Sequence, residues 1–359
     1  MDHAFGQRPA FELGMEEELF LVQPDTLELS HTSSLLLPRV DADAGSVMHD
    51  TYEAMVESAS PVCADATRAG ARLQALREAV RAAGGTLIGG GLHPAGAFGD
   101  VVHVPQDRYR AIAGSMRGLL RRTPTAAIHA HVGMPDSETA IRATNGLRAF
   151  LPLLQALAAS SPYWHGRDSG FASARAQLFR GFPRAVIPRA FSGWEDYVEY
   201  VSEWTRAGDM PDYTFLWWDL RPHPKLGTVE IRAMDAQSSL RSAIGLTALV
   251  HGLALACAEG VELPAISSEA LGETSFRAGR DGLAATLLWR GHLRPAHEVA
   301  REALGLARAH LADDSPLEEI ERILREGNGA DRMRAAHQRG GLRSVLEHLL
   351  EETAAPAAA

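Results

Sequence analysis

The chain has almost no lysine: Lys225 is the one lysine among 35 basic residues, the rest being arginine. A Walker-type phosphate loop, GxxxxGK[ST], is therefore absent. Lys225 lies in a Pro-Lys-Leu-Gly turn, which disfavours a Schiff-base role. Cysteine is scarce as well. Cys63 and Cys257 are isolated, which argues against a disulfide framework or a thiolate metal site and makes a reduced cytoplasm the expected compartment. The N-terminus has no basic segment followed by an apolar run, so no signal peptide is expected. The most apolar helical stretch, about 243–258, contains His251 and is too short and mixed to read as a membrane span. A net charge of −10 argues against nucleic acid as the main partner. What remains is a globular chain of 359 residues, 46% hydrophobic and 22% charged, with ample material for a core.

Apolar periodicity predicts helices at about 66–83, 138–159, 194–206, 237–259, 295–312, 316–326 and 331–352. Capping boxes are expected at Ser192 with Glu195, and at Ser315 with Pro316 and Glu318. Strand-like segments are 11–22, 53–60, 86–92, 125–133, 214–221 and 227–234. Their irregular spacing lacks the strand–helix rhythm of a doubly wound fold. An α+β fold is expected, with an antiparallel sheet carrying helices on one face. We expect a single domain over 1–352, sheet-forming over about 11–235 and helical over about 236–352, and a disordered tail at 353–359.

Alternate residues of a strand point to opposite faces. In 11–22, Glu12, Glu16 and Glu18 share one face and Leu13, Met15, Leu19 and Leu21 the other, with Glu17 as the exception on the apolar side. That is either a solvated acidic edge or a set of hard oxygen ligands suited to Mg²⁺. Other strands repeat the pattern. Glu57 falls mid-strand in 55–60, His129 and His131 share a face, Asp219 and Arg221 share a face, and Glu230 and Arg232 share a face. If these strands form one sheet, one face is apolar and the other a field of Glu, His and Arg. The His-x-His pair lacks a nearby third ligand for zinc. The histidines would contact substrate or phosphate, or simply lie on the sheet face. Glu230–Arg232 is equally readable as a structural ion pair.

Residues 160–190 read as a long loop without regular structure, holding Arg167, Arg175, Arg180, Arg184 and Arg189. Guanidinium forks suit carboxylates and phosphates, so either a small anionic ligand or solvent would face them. The stretch Gly84–Gly99 contains Gly89-Gly90-Gly91 but no GxGxxG, and close packing explains small residues there better than phosphate binding does.

In this order, the segments resemble the carboxylate–amine ligase family, also called the glutamate–cysteine ligase type 2 family. The resemblance rests on Leu13-Gly14-Met15-Glu16-Glu17-Glu18, Val56-Glu57-Ser58-Ala59-Ser60-Pro61, Gly91-Leu92-His93-Pro94, His129-Ala130-His131-Val132-Gly133 and Gly166-Arg167-Asp168-Ser169-Gly170. It continues through Trp218-Asp219-Leu220-Arg221-Pro222 and Thr228-Val229-Glu230-Ile231-Arg232, and spans about 11–290. It implies a glutamine-synthetase-like sheet whose open face holds ATP and Mg²⁺. It implies an ADP-forming ligase that makes an amide through an acyl phosphate, from small-molecule amino-acid carboxylate and amine substrates, with a homodimer left open. Glu16, Glu18, Glu57 and Glu230 would then be metal ligands. His129, His131, Arg221 and Arg232 would contact ATP phosphates. Arg167, Arg175 and Arg232 would be catalytic, and Arg167, Ser173, Arg175 and Arg184 would bind substrate. The chain departs from the family pattern at Asp50, where relatives carry Glu, at Phe171 and Ala174, where they carry Tyr, and at Ala185-Val186. These changes put the substrate pair in question. They also keep two alternatives in view: a catalytically silent ATP-binding relative, and a guanidino-kinase-like phosphotransferase.

Overall fold

The computed structural model describes residues 1–357. In chain order its strands are β1 (Leu13–Leu21), β2 (Ser46–Met48), β3 (Met55–Ala59), β4 (Leu87–Ile88), β5 (Ala127–Gly133), β6 (Tyr163–Trp164), β7 (Arg167–Asp168), β8 (Leu220–His223), β9 (Thr228–Asp235), β10 (Thr286–Trp289) and β11 (His292–Pro295). The helices are α1 (Ser33–Leu36), α2 (Ala66–Ala82), α3 (Asp107–Met116), α4 (Ser137–Leu147), α5 (Leu151–Ala158), α6 (Ala174–Phe179), α7 (Trp194–Ala207), α8 (Leu240–Glu259), α9 (Ser268–Asp281), α10 (Ala296–Arg308), α11 (Glu318–Glu326) and α12 (Gly329–Ala354).

Seven strands form one sheet in the order β2-β3-β1-β5-β9-β8, with β4 beside the end of β1. Every pairing in it is antiparallel. Leu13, Met15, Ala130, Val132, Val229 and Ile231 turn to the rear and join the main core, which also takes in α2, α4, α5, α8 and α10. α8 is long and apolar enough to cross a membrane by composition, yet it is buried at the centre of this core. The expected α+β architecture is present: the main core covers one face, and the other carries the polar row beside a second buried cluster in which Phe20 and Met55 meet Ile112 of α3, Tyr197 of α7 and Leu349 of α12.

Glu17 is the one acid on the rear of β1. It is fully buried and paired with Arg77 of α2, Nη2 to Oε2 2.7 Å. Arg77 also donates to the carbonyls of Ser238 (2.9 Å), Gln237 (3.1 Å) and Thr353 (3.3 Å), so its charge is satisfied without water. The glycine stretch is explained by close approach. A Cβ on Gly89 would lie 2.4 Å from the Gln237 carbonyl oxygen, and one on Gly91 2.5 Å from the Asp235 carboxyl carbon.

Several local expectations are corrected. The stretch 160–190 is not structureless: it contains the β6–β7 hairpin and α6, capped by Ser173. The segment 138–159 is two helices, because Pro152 opens α5 after a 3₁₀ turn at Arg148–Phe150. The part after 236 is not wholly helical: β10 and β11 form a hairpin. Helices α3 and α9 were not expected. Ser192 does not cap α7: it donates to Asp196, and Gly193 holds the cap position. Ser315 begins a 3₁₀ turn, whereas the capping box that forms is Asn328–Asp331 at α12. Helix α12 bends at Gly340–Gly341, where the backbone leaves helical geometry. The expected tail is shorter at its start. Thr353 lies within α12, fully buried, and its Oγ1 accepts from the Gly89 amide at 2.9 Å. Residues 358–359 lie outside the described residues.

Candidate active site

Register places the polar residues side by side. Glu18 is paired with Glu57 of β3, and Glu16 with His129 of β5. His131 is paired with Glu230 of β9, and Glu230 with Arg221 of β8. Directly opposed residues in an antiparallel sheet point to the same face. All of them line one cavity of about 260 Å³, together with Asp50, Tyr109, Arg175, His223 and Arg232. A bulge in β9 opposite His129 interrupts the register, and Arg232 lies in it, its amide donating to the Asp219 carbonyl at 2.7 Å.

The charges divide into two groups. Burial would raise the Glu16 carboxyl, but His131 and His129 outweigh it and hold Glu16 well below the usual range. Glu230 is likewise buried and held well below the usual range by Arg221, Arg232 and the histidines. The Arg221 Nε donates to Glu230 at 2.5 Å, and Arg232 pairs with the other oxygen. The second group is uncompensated. Burial and then Asp50 push Glu18 up to about 8, despite Arg175, Arg232 and a 2.7 Å hydrogen bond from the Ala127 amide. Burial, then Glu16, Glu18 and Asp50, push Glu57 well above its ordinary value. Burial also raises Asp50. The imidazoles diverge. Burial and Arg232 lower His129 to about 4, leaving it neutral with a lone pair to give. His131 is raised against burial by Glu16 and Glu230.

These groups suit divalent cations. Ligand atoms of Glu16, His129 and Glu230 lie within 4.8 Å of one another. Glu18 and Glu57 oppose each other directly, so both can be ionised at little cost only when a cation lies between them. Anion capacity is also present. Among the described residues, Arg175 Nε and Arg232 Nε are buried without a hydrogen-bond partner.

The other expected residues lie elsewhere. Arg167 is exposed on β7 and does not line the cavity. Arg184 stacks over Trp217, 5.8 Å from its ring centre, and reaches the Gly208 carbonyl. Ser173 is fully buried: its hydroxyl donates to Asp235 at 2.9 Å and caps α6, which carries Arg175. Asp219, expected on a face with Arg221, pairs with Arg180 instead. Phe171 packs edge-on against Phe276, and Ala174 is buried at the start of α6, so neither tyrosine replacement borders the cavity. Asp50 does border it, and was noticed only as a departure. His223 was missed, although the alternation of Asp219 and Arg221 continues to it. Tyr109, Phe179, Phe182 and Trp217 were missed because no periodicity marks them.

A second cavity of about 210 Å³ adjoins the first at Glu16, His131 and Leu226. Gly14, Met15, Val62 and Met134 line it, at the end where β1 begins.

The same fold is found among solved structures. A glutamate–cysteine ligase from Francisella tularensis, solved in complex with AMP, superposes on the whole of this chain and 91% of its own, with a TM-score of 0.71 at 13% identity. Sequence similarity then narrows the class. The chain matches Glutamate-cysteine ligase family 2 over residues 12–348, and it belongs to that family. A Rubrobacter xylanophilus protein named "Putative glutamate--cysteine ligase 2-3" is 37% identical over 99% of this chain and 100% of its own. The glutamate–cysteine ligase of Haloferax volcanii is 31% identical over 96% of this chain and 98% of its own.

Proposed function

We infer that the chain is an ATP-dependent carboxylate–amine ligase of the glutamate–cysteine ligase type, and that the acid-lined cavity is where it works. The observation that carries this reading is the convergence of Glu16, Glu18, Glu57 and Glu230 on one sheet face with Arg175 and Arg232. Four carboxylates alone would repel a triphosphate. With divalent cations bound they become its dock, and two guanidiniums remain for the group in transfer.

The apolar cavity beside Gly14 and Met15 takes the nucleotide base, and the phosphates run from there along the strand toward Glu18. Glu16, His129 and Glu230 would hold one Mg²⁺, and Glu18 with Glu57 a second. Magnesium bound there would neutralise the phosphates and the developing negative charge. The donor carboxylate oxygen attacks the γ-phosphorus and the bond to ADP breaks, giving an acyl phosphate. Arg175 and Arg232 donate to the equatorial oxygens as charge spreads over them. The amine nitrogen then adds to the acyl carbon, the carbon–oxygen bond to phosphate breaks, and the amine loses a proton. Asp50 is placed to hold the incoming ammonium and take its first proton before the attack, and the proton lost on amide formation leaves with the departing phosphate. In this reading Arg167 and Arg184 are surface cations and Ser173 is a scaffold for α6.

The test is product identification by mass spectrometry with ATP, Mg²⁺, glutamate and a panel of amines. ADP, phosphate and an amide should appear only when both substrates are present. AMP and pyrophosphate would overturn the mechanism, and ADP release without any amine would point to phosphotransfer instead.

A further inference from the structure

At the end of the cavity away from Gly14, the wall is aromatic and aliphatic. Phe179 and Phe182 meet edge to face at 5.6 Å between ring centres, and Phe182 meets Trp217 in the same way at 5.6 Å. Ile112 and Leu120 complete the wall. Phe179 and Trp217 are only half-buried, so they line a space rather than fill a core. Each ring has a guanidinium beside it: Arg175 lies 5.3 Å from the Phe179 ring centre, Arg122 5.1 Å from that of Phe182 and Arg184 5.8 Å from that of Trp217. Tyr109 spends its hydroxyl on the His49 carbonyl at 2.8 Å, and Arg108 lies over the Phe215 ring, exposed. Asp50 is the carboxylate beside this wall that has no cationic partner within ion-pairing distance among the described residues. Cysteine offers such a wall little surface, because its side chain ends at one sulfur.

We propose that this wall is the acceptor subsite, and that it selects a primary amine with a branched aliphatic or aromatic body, its ammonium toward Asp50 and its body against Ile112, Leu120, Phe179, Phe182 and Trp217. The proposal rests on the ligase reading above and names the acceptor class within it. Each methylene fitted or lost in such a pocket changes discrimination by about tenfold or more. An acceptor several carbons larger than ethylamine therefore gains at least tenfold in kcat/KM.

The experiment compares ethylamine, cysteine, phenethylamine, isoamylamine and phenylalanine as acceptors, with glutamate, ATP and Mg²⁺, by coupled ADP release and product mass. Phenethylamine or isoamylamine should exceed cysteine at least tenfold, with phenylalanine showing whether a carboxylate on the acceptor is accepted through Arg108. In Trp217→Ala and Ile112→Ala the ratio of kcat/KM for phenethylamine over ethylamine should fall at least tenfold. Cysteine as the best acceptor, or a ratio unchanged in both variants, overturns the proposal and leaves the ligase reading standing. Absence of turnover with every acceptor overturns the ligase reading. Calorimetry then decides the subsite alone: with Mg²⁺ and a non-hydrolysable ATP analogue, phenethylamine should bind at least tenfold tighter than ethylamine, and the gap should close in Trp217→Ala. Equal binding of the two amines would refute the wall.

Discussion

Replacing Glu57 by Gln should stabilise the metal-free protein while destroying its response to nucleotide. Glu57 is buried, faces Glu18 in direct register, and feels Glu16 and Asp50 as well. Without metal, Glu57 must either stay charged against its neighbours, at up to about 1 kcal/mol for directly opposed like charges, or take up a proton that the unfolded chain would not hold at neutral pH, which also costs the folded state. The isosteric amide removes the charge and keeps the volume, so a gain of about 1–2 kcal/mol is expected. For a chain of this size that corresponds to a rise of roughly 1–3 °C in Tm. The sign reverses once ligand is present. Wild type at a hundredfold excess of MgATP over its Kd gains about 2.7 kcal/mol, and the variant, lacking a metal-facing charge, should gain little of it. Differential scanning fluorimetry in EDTA and then with MgATP measures both effects, and ADP release should fall to background. A variant less stable than wild type in EDTA, or one with an undiminished MgATP shift, would refute the assignment of Glu57 to cation binding.

Two further outcomes test the frame around the site. Glu17→Gln leaves Arg77 buried with carbonyl partners but no counter-charge. A loss of about 3–5 kcal/mol is expected by urea denaturation, and a loss under about 1 kcal/mol would show that the carbonyls suffice. His93 is buried, lies 2.8 Å from the Leu27 carbonyl, and is lowered by burial to about 4 from its ordinary 6.5. The unfolded chain takes up this proton first, so the contribution is full above pH 6.5 and is lost as pH falls toward 4, up to about 3 kcal/mol. A His93→Gln variant should show a flatter fall in Tm between pH 7 and 5, and an identical slope would remove His93 as the cause.

Much of the site was legible because it lies on strands. The two-residue alternation of β1, β5 and β9 put Glu16, Glu18, His129, His131 and Glu230 on one face before any register was known. It also isolated Glu17 on the other face. Strand partnership was not legible, and it is what sets Glu57 against Glu18 and Arg221 against Glu230. Arginines off the sheet were read by composition alone, which cannot tell Arg175, lining the cavity, from Arg180, paired with Asp219. Ser173 looked like a ligand-facing hydroxyl because nothing local reveals that Asp235, 62 residues on, lies 2.9 Å from it. Helices α3 and α9 escaped notice, α3 being a short and largely exposed helix with only Ile112 and Met116 buried.

The buried guanidinium of Arg77 has a consequence for anyone handling the protein. It joins four places far apart in the chain: the strand bearing the acid row, the second helix, the segment after β9, and the last turn of α12. The last turn of α12 is thus a fastener behind β1. Trimming from Thr353 inward, or fusing a rigid partner at that point, withdraws a carbonyl from Arg77 and a hydroxyl from the Gly89 amide at once.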